Sequence, residues 1–403
     1  MDEDEVTMIG GAPWSLRFVK ALVRPTWVEV DLDALEYNVR SVKRMLGGVR
    51  LIGVLKGDAC GFGTEECGVA MERAGVDMVA VGNPFEVEVV RRAGVKCPIL
   101  LFASYTGAQA EEIVGLGAIP TVVDSASALA LAAAAEKLSK APLEVFVKVD
   151  TGLGRLGVPY VHAVGLIKRL AADSRLYLKG VYSHAGSSKD EWAVEMFRRL
   201  QQLFTELEAR GIDVPYRFIA STPYVLRHPE MWLNTVDPGR LLFGIKQPAG
   251  APAPEGLVKP VLRGLRTRLI QVKDASTWDP PAYRARADVT RYGVVPFGWA
   301  DVFLPALYEK SGAVIRGTHV GFLGKLTTEH GVLDLTPVAD CGEGDVVTLL
   351  GEDSGTAIDP FQLAHDNGAL MSDITRRFHR HLPYVYFRDG KPAKVKTLGG
   401  HVL

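Results

Sequence analysis

From Val49 to Phe243 the chain alternates short apolar runs with longer stretches in which apolar positions recur every three or four residues. The runs read RLIGVLK, VDMVAVG, PILLFAS, IPTVVD, LEVFVKVD, YLKGVYSH, YRFIAST and TVDPGRLLF. Continuous apolar runs of this length predict strands buried on both faces. The helical period between them predicts helices packed outside. Helices are expected over Glu86–Ala93, Ser125–Leu138 and Glu191–Arg210. Eight strands alternating with helices predict a parallel (β/α)8 barrel. A doubly wound sheet is the rival fold, but it would carry a GxGxxG turn after its first strand, and none is present there.

Beyond Phe243 the pattern changes. Ala249–Gly256 reads AGAPAPEG, a linker-like stretch. The short runs TRLIQVK, GVVPFGW, HVGFLGK, VVTLL and YVYF then lie between Gly, Asp and Pro turns. They predict a mostly β second domain with one helix near Asp359–Asp366, and PYVYF belongs to its core. Residues 1–24 read as an extension, helical around Leu16–Val23. The expected division is 1–24 extension, 25–250 barrel and 251–403 β-rich domain.

Composition narrows the function classes. The 403 residues are 47% apolar and 23% charged, with a formal net charge of −1. That balance gives no basic field for nucleic acid. No apolar run is long enough to span a membrane. Cys60, Cys67, Cys97 and Cys341 show no CxxC spacing, which favours free thiols in a reducing compartment. The opening MDEDE does not read as a secretory signal, so a cytoplasmic enzyme is expected. The HRH cluster at His379–His381 lacks spaced partners. It reads as a solvated or interface cluster, and no metal is expected.

In barrels the working face lies at the C-terminal ends of the strands. Lys56 ends the first run, Lys148 and Asp150 the fifth, His184 the sixth and Ser221 the seventh; Asp237 and Gly239 lie in the eighth. Burial of a lysine at such a place favours the neutral amine that Schiff-base chemistry needs. Strands seven and eight are where barrels often hold phosphate. Ser221 and Thr222 offer hydroxyls there, and Gly239 admits close approach to backbone N–H groups. A phosphate-bearing cofactor beneath a reactive lysine is the reading that results.

Six motifs sharpen it. VLKGDACGFG, VKVDTGLGRLG, VYSHAGSSKD, the IAST around Ser221, VDPGRLLFG and VPFGWADVF occur in this order across both predicted domains. Together they resemble the alanine racemase family, from about Pro25 to the C-terminus. The resemblance implies pyridoxal 5′-phosphate (PLP) as cofactor, an amino acid as substrate, and a head-to-tail homodimer with shared active sites. It makes Lys56 the Schiff-base lysine and an acid/base, and places Arg155 beside the cofactor's phenolic oxygen. Lys148, often carbamylated in the family, orients Arg155, and His184 lies beside the cofactor. Ser221, Gly239 and Arg240 match phosphate-binding positions. Asp190 matches a motif aspartate.

The departures bear on the reaction. The tyrosine that serves as second base is Trp299 here, and an indole N–H cannot take a proton from carbon. The arginine that faces the pyridine nitrogen is Asp237, which would favour a protonated, strongly electron-withdrawing ring. Arg217 aligns with a histidine near that arginine, so an Arg217–Asp237 pair is expected. The phosphate-binding tyrosine of the lysine loop is Cys60. The Met-Asp pair at the substrate is Thr328 and Glu329. The tyrosine of the C-terminal motif is Ser372, whose hydroxyl still suits phosphate. These changes favour a one-base, non-racemising PLP enzyme working through aldimine and quinonoid intermediates: a lyase or aldolase, decarboxylase, transaminase or carbon–carbon bond-forming synthase. The alternative is an amino-acid racemase or epimerase with a substituted second base, His184 being the candidate. A non-catalytic PLP-binding protein is a lesser alternative, against which Lys56, Lys148, Arg155 and His184 argue.

Overall fold

The computed structural model describes residues 6–9, 11–186, 189–246, 252–276, 288–302, 305–338 and 340–401. The acidic start, the first residues of the AGAPAPEG linker, Ser187 and Ser188 of the sixth-run motif, and Phe303 lie outside the described residues. The chain forms two compact units, residues 35–259 and residues 1–34 with 260–403.

The first unit is a nearly closed eight-stranded parallel barrel. Its strands are β1 (Arg50–Val54), β2 (Met78–Val81), β3 (Ile99–Leu101), β4 (Ile119–Val122), β5 (Leu143–Asp150), β6 (Leu176–Tyr182), β7 (Tyr216–Phe218) and β8 (Thr235–Val236). Each expected run supplies one strand. Neighbours pair in parallel from β7 back through β1, and β1 pairs with β8. The remaining gap is bridged by single hydrogen bonds. The Arg217 N–H donates to Asn234 Oδ1 (2.8 Å) and the Asp237 N–H to the Ala220 carbonyl (3.4 Å). Alternate side chains point inward, so Ile52, Met78, Leu100, Phe146, Tyr182 and Phe218 fill the interior as one buried cluster.

The outer helices include Pro84–Arg92, Ser125–Lys137 and Asp190–Glu208. Asn83 caps the first of these through the Glu86 N–H, and Asp124 caps the second through the Ser127 N–H. The third buries Met196, Leu200, Leu203 and Leu207 along one face.

The second unit is mostly β. Its largest sheet joins Leu262–Arg268 to Val346–Asp353 on one side and to Thr26–Asp31 on the other, and Tyr384–Arg388 follows. Thr26–Asp31, expected in the barrel, is thus a strand of the β-rich unit. Residues 6–22 join the same unit as a hairpin (Val6–Ile9 with Ala12–Ser15) and the helix Leu16–Ala21. Trp14 packs edge-on against Trp27 and Phe387, which fixes the extension to this core. Among the described residues no helix is long and apolar enough to cross a membrane.

Candidate active site

Lys56 follows the end of β1 and begins a tight turn. Gly57, Asp58, Ala59 and Cys60 all adopt left-handed backbone angles, with φ between 53° and 70°. L-residues with a Cβ avoid this conformation. Glu86 is what holds it. Its Oε1 accepts the N–H groups of Gly57 (2.9 Å) and Asp58 (3.3 Å), and its Oε2 accepts that of Gly82 (2.7 Å). Asp58 Oδ1 closes the turn on the Thr64 N–H (2.8 Å) and hydroxyl (3.0 Å). Lys56 itself is exposed, whereas a desolvated strand end was expected. Its Nζ lies 5.3 Å from the centre of the Phe102 ring.

Lys148 sits on β5 with its Nζ 4.5 Å from the Tyr182 ring centre. Burial brings its ammonium down to about 8; Arg155 and Lys56 press the same way, against Asp237 and Asp150. His184, after β6, is lowered to about 3 by burial, reinforced by Lys148, Lys56, Arg155 and Arg240. Asp237, after β8, is raised to about 7 by burial, against the pull of Lys56 and Lys148. These side chains therefore share one electrostatic site at the C-terminal mouth, although they come from distant stretches of sequence.

Arg217 does not join them. It bonds Glu208 and donates from Nε to the Val214 carbonyl (3.0 Å), with its guanidinium over the Phe204 ring. The expected Arg217–Asp237 pair is therefore corrected. Tyr216 and Phe218 face the barrel interior, so the residue between them must face out. The charges around Asp237 are instead the two lysines.

The remaining expected residues fall into two groups. Ser221 and Gly239 lie just beyond β7 and β8, and the Leu241 N–H donates to Thr222 Oγ1 at 3.2 Å, tying the two following segments together. Arg240 follows Gly239. Cys60 is buried in the left-handed turn as a free thiol. Trp299, Thr328, Glu329 and Ser372 belong to the β-rich unit; Trp299 is 53% exposed, and Ser372 is buried.

The barrel mouth fits PLP. Asp237 Oδ1 is buried and, among the described residues, has no hydrogen-bond partner, which suits a protonated ring nitrogen. Lys56, Lys148, Arg155 and Arg240 outnumber the carboxylates Asp237 and Asp150, which suits a phosphate-bearing anion. A Cβ on Gly239 would meet the Val54 side chain at 3.2 Å, so the backbone runs tight there. Glu86 and Tyr182 were missed from sequence. The only signal for Glu86 was its place three residues after a capping asparagine.

The alanine racemase N-terminal domain family matches residues 30–247, and its C-terminal domain family matches residues 263–386. The alanine racemase 1 of Caldanaerobacter subterraneus subsp. tengcongensis is 31% identical over 91% of this chain and 96% of its own length. The alanine racemase of Sorangium cellulosum is 31% identical over 90% of this chain and 99% of its own. Among solved structures, alanine racemase from Clostridium difficile 630 superposes with a TM-score of 0.82 at 23% identity, covering 93% of this chain and 98% of that one. This last likeness speaks for the fold.

Proposed function

This chain belongs to the alanine racemase family of PLP-dependent enzymes, and on that premise we propose that it racemises an amino acid. The observation that carries the reading is the match to relatives named alanine racemase along nine-tenths of the chain. Alanine is accordingly the first substrate to try. The preference for one-face chemistry drawn from the departures gives way to the racemase alternative.

PLP, when bound, supplies a carbonyl for the substrate amine and a ring that draws electrons from the carbon bearing it. Lys56 anchors it and carries a proton to and from the substrate Cα on one face. His184 serves the other face, where the phenol is replaced by Trp299. Its imidazole is neutral at physiological pH, so a ring nitrogen is open to accept a proton. Burial is the main cause of that neutrality; the part added by the surrounding cations would be offset by a phosphate at Ser221, Gly239 and Arg240, which would make it a stronger base. Arg155 orients the cofactor's oxygen side, and Lys148, once carbamylated, would orient Arg155. Ser372 offers a hydroxyl to the phosphate. The working form is the head-to-tail homodimer, in which Trp299, Thr328 and Glu329 shape the substrate pocket.

Two observations favour a second reading. Asp237 leaves a buried carboxyl where the family has an arginine, and Trp299 removes the usual second base. Both suit an enzyme that protonates one face only. Incubation with each alanine enantiomer in D2O decides between them. Racemisation gives both enantiomers with solvent deuterium at Cα. Label with retained configuration would replace it with the one-face reading.

A further inference from the structure

Three donors converge on one carboxylate in the β-rich unit. Asp301 is shut completely from solvent. Its Oδ1 lies 2.8 Å from Arg24 Nη2 and 2.6 Å from His381 Nε2. Its Oδ2 accepts the Gly298 N–H at 2.8 Å and Arg24 Nη2 at 3.0 Å. A carboxylate removed from water is stable only when charges and donors replace the water. Here a guanidinium, an imidazole and a backbone amide do so. The HRH cluster is therefore not merely solvated, because one of its histidines faces a buried acid.

What this carboxylate holds is the segment bearing Trp299. The Trp299 N–H donates to the Thr327 carbonyl (3.0 Å) and the Ala300 N–H to the Thr328 carbonyl (2.9 Å). Gly298 is pressed onto the same turn, and a Cβ there would come within 2.4 Å of the Thr328 carbonyl oxygen. The Trp299 turn and the Thr328–Glu329 turn are thus one piece, and Asp301 fixes where that piece sits. The donors arrive from far along the chain. Arg24 precedes the family match, which begins at residue 30, and also reaches the Pro296 carbonyl (3.3 Å). His381 lies just before the Tyr384–Arg388 strand, with the His379 ring 4.2 Å away, centre to centre.

We propose that Arg24 and His381 are positioning residues that act through Asp301 to set Trp299 and Thr328 against the substrate. The proposal rests on the reading above that those two residues face the substrate. It gives the N-terminal extension a task. Trp14 anchors the extension in the core, and Arg24 delivers its charge to the segment that departs most from the family's second base.

The test uses the full chain with PLP, labelled with 5-fluorotryptophan, the Trp299 resonance being identified by its loss in Trp299→Phe. Arg24→Gln and His381→Gln should each shift that ¹⁹F resonance. Each should also raise KM for the amino acid about tenfold while leaving kcat within about threefold. His381→Arg, which keeps an N–H donor toward Asp301, should restore both signals. An unmoved resonance with unchanged KM in Arg24→Gln and His381→Gln would overturn the proposal, as would a His381→Arg variant that behaves like His381→Gln. Borohydride trapping on Lys56 is run on the same samples. Its failure in the parent would sink the cofactor reading, while the ¹⁹F shifts would still decide whether Arg24 and His381 position Trp299 through Asp301.

Discussion

Burial pushes His184, Lys148 and Asp237 toward their neutral forms, and the direction of each shift has a consequence for stability. Asp237 ordinarily titrates at 3.8 and is raised to about 7 in the fold. Between those values the native state keeps a proton that the unfolded chain has released, so stability falls as pH rises through the window. His184 runs the other way. Its ordinary 6.5 drops to about 3, so the unfolded chain takes up a proton that the native state refuses. Stability is then lost as pH falls below about 6.5. In cofactor-free protein, Asp237→Asn should remove the decline toward neutral pH and add roughly 2–4 kcal/mol at pH 8. His184→Asn should flatten the acid side instead. Urea unfolding from pH 4 to 8 checks both, and two curves parallel to the parent would show that neither group titrates as its burial implies. In the proposed function the same burial would matter twice: Asp237 would face the ring nitrogen as a group that can exchange a proton with it, and His184 would offer an imidazole free to accept one.

The element that makes Lys56 usable is the left-handed turn behind it. Three residues with a Cβ occupy that turn, at about 1–2 kcal/mol each. The Glu86 carboxylate supplies three charge-assisted hydrogen bonds in return. Glu86→Gln keeps one carbonyl oxygen but turns an NH2 toward a donor. It should speed amide exchange at Gly57, Asp58 and Gly82 and lower activity about tenfold or more, with a far-UV spectrum unchanged. Exchange rates equal to the parent's would mean the turn holds itself. None of this was legible in the sequence, because Glu86 looks like one more helix charge and a reversed turn leaves no periodic trace. The eight strands and their ends were legible, since apolar runs report burial directly. Arg217 was misplaced although its own strand gave the answer: two inward aromatics flank it, and the motif alignment overrode that alternation. Residues 26–31 were placed with the barrel by the boundary drawn at residue 25; local pattern does not show that they pair with strands more than 200 residues later.

At the scale of the molecule, the residues expected to do the chemistry are divided between two compact units. Lys56, His184, Asp237 and Arg155 lie in residues 35–259, while Trp299, Thr328 and Glu329 lie in the β-rich unit. In the proposed head-to-tail homodimer with shared sites, one protomer's Lys56 would work beside the Trp299 turn of the other, and a defect in either unit would disable a site made by two chains. That arrangement makes a prediction no monomer can meet. Lys56→Ala and Trp299→Arg homodimers should each be inactive, one lacking the anchor and the other carrying a cation in the substrate pocket. When the two are mixed and allowed to exchange, half the dimers become mixed. Each mixed dimer holds one site with both defects and one with neither, so activity should return to about a quarter of the parent's. The parent should sediment as a dimer at the concentrations assayed. No recovery after exchange proven by mass-tagged subunits would place each active site within a single chain, and the exposed Trp299 would then need another explanation.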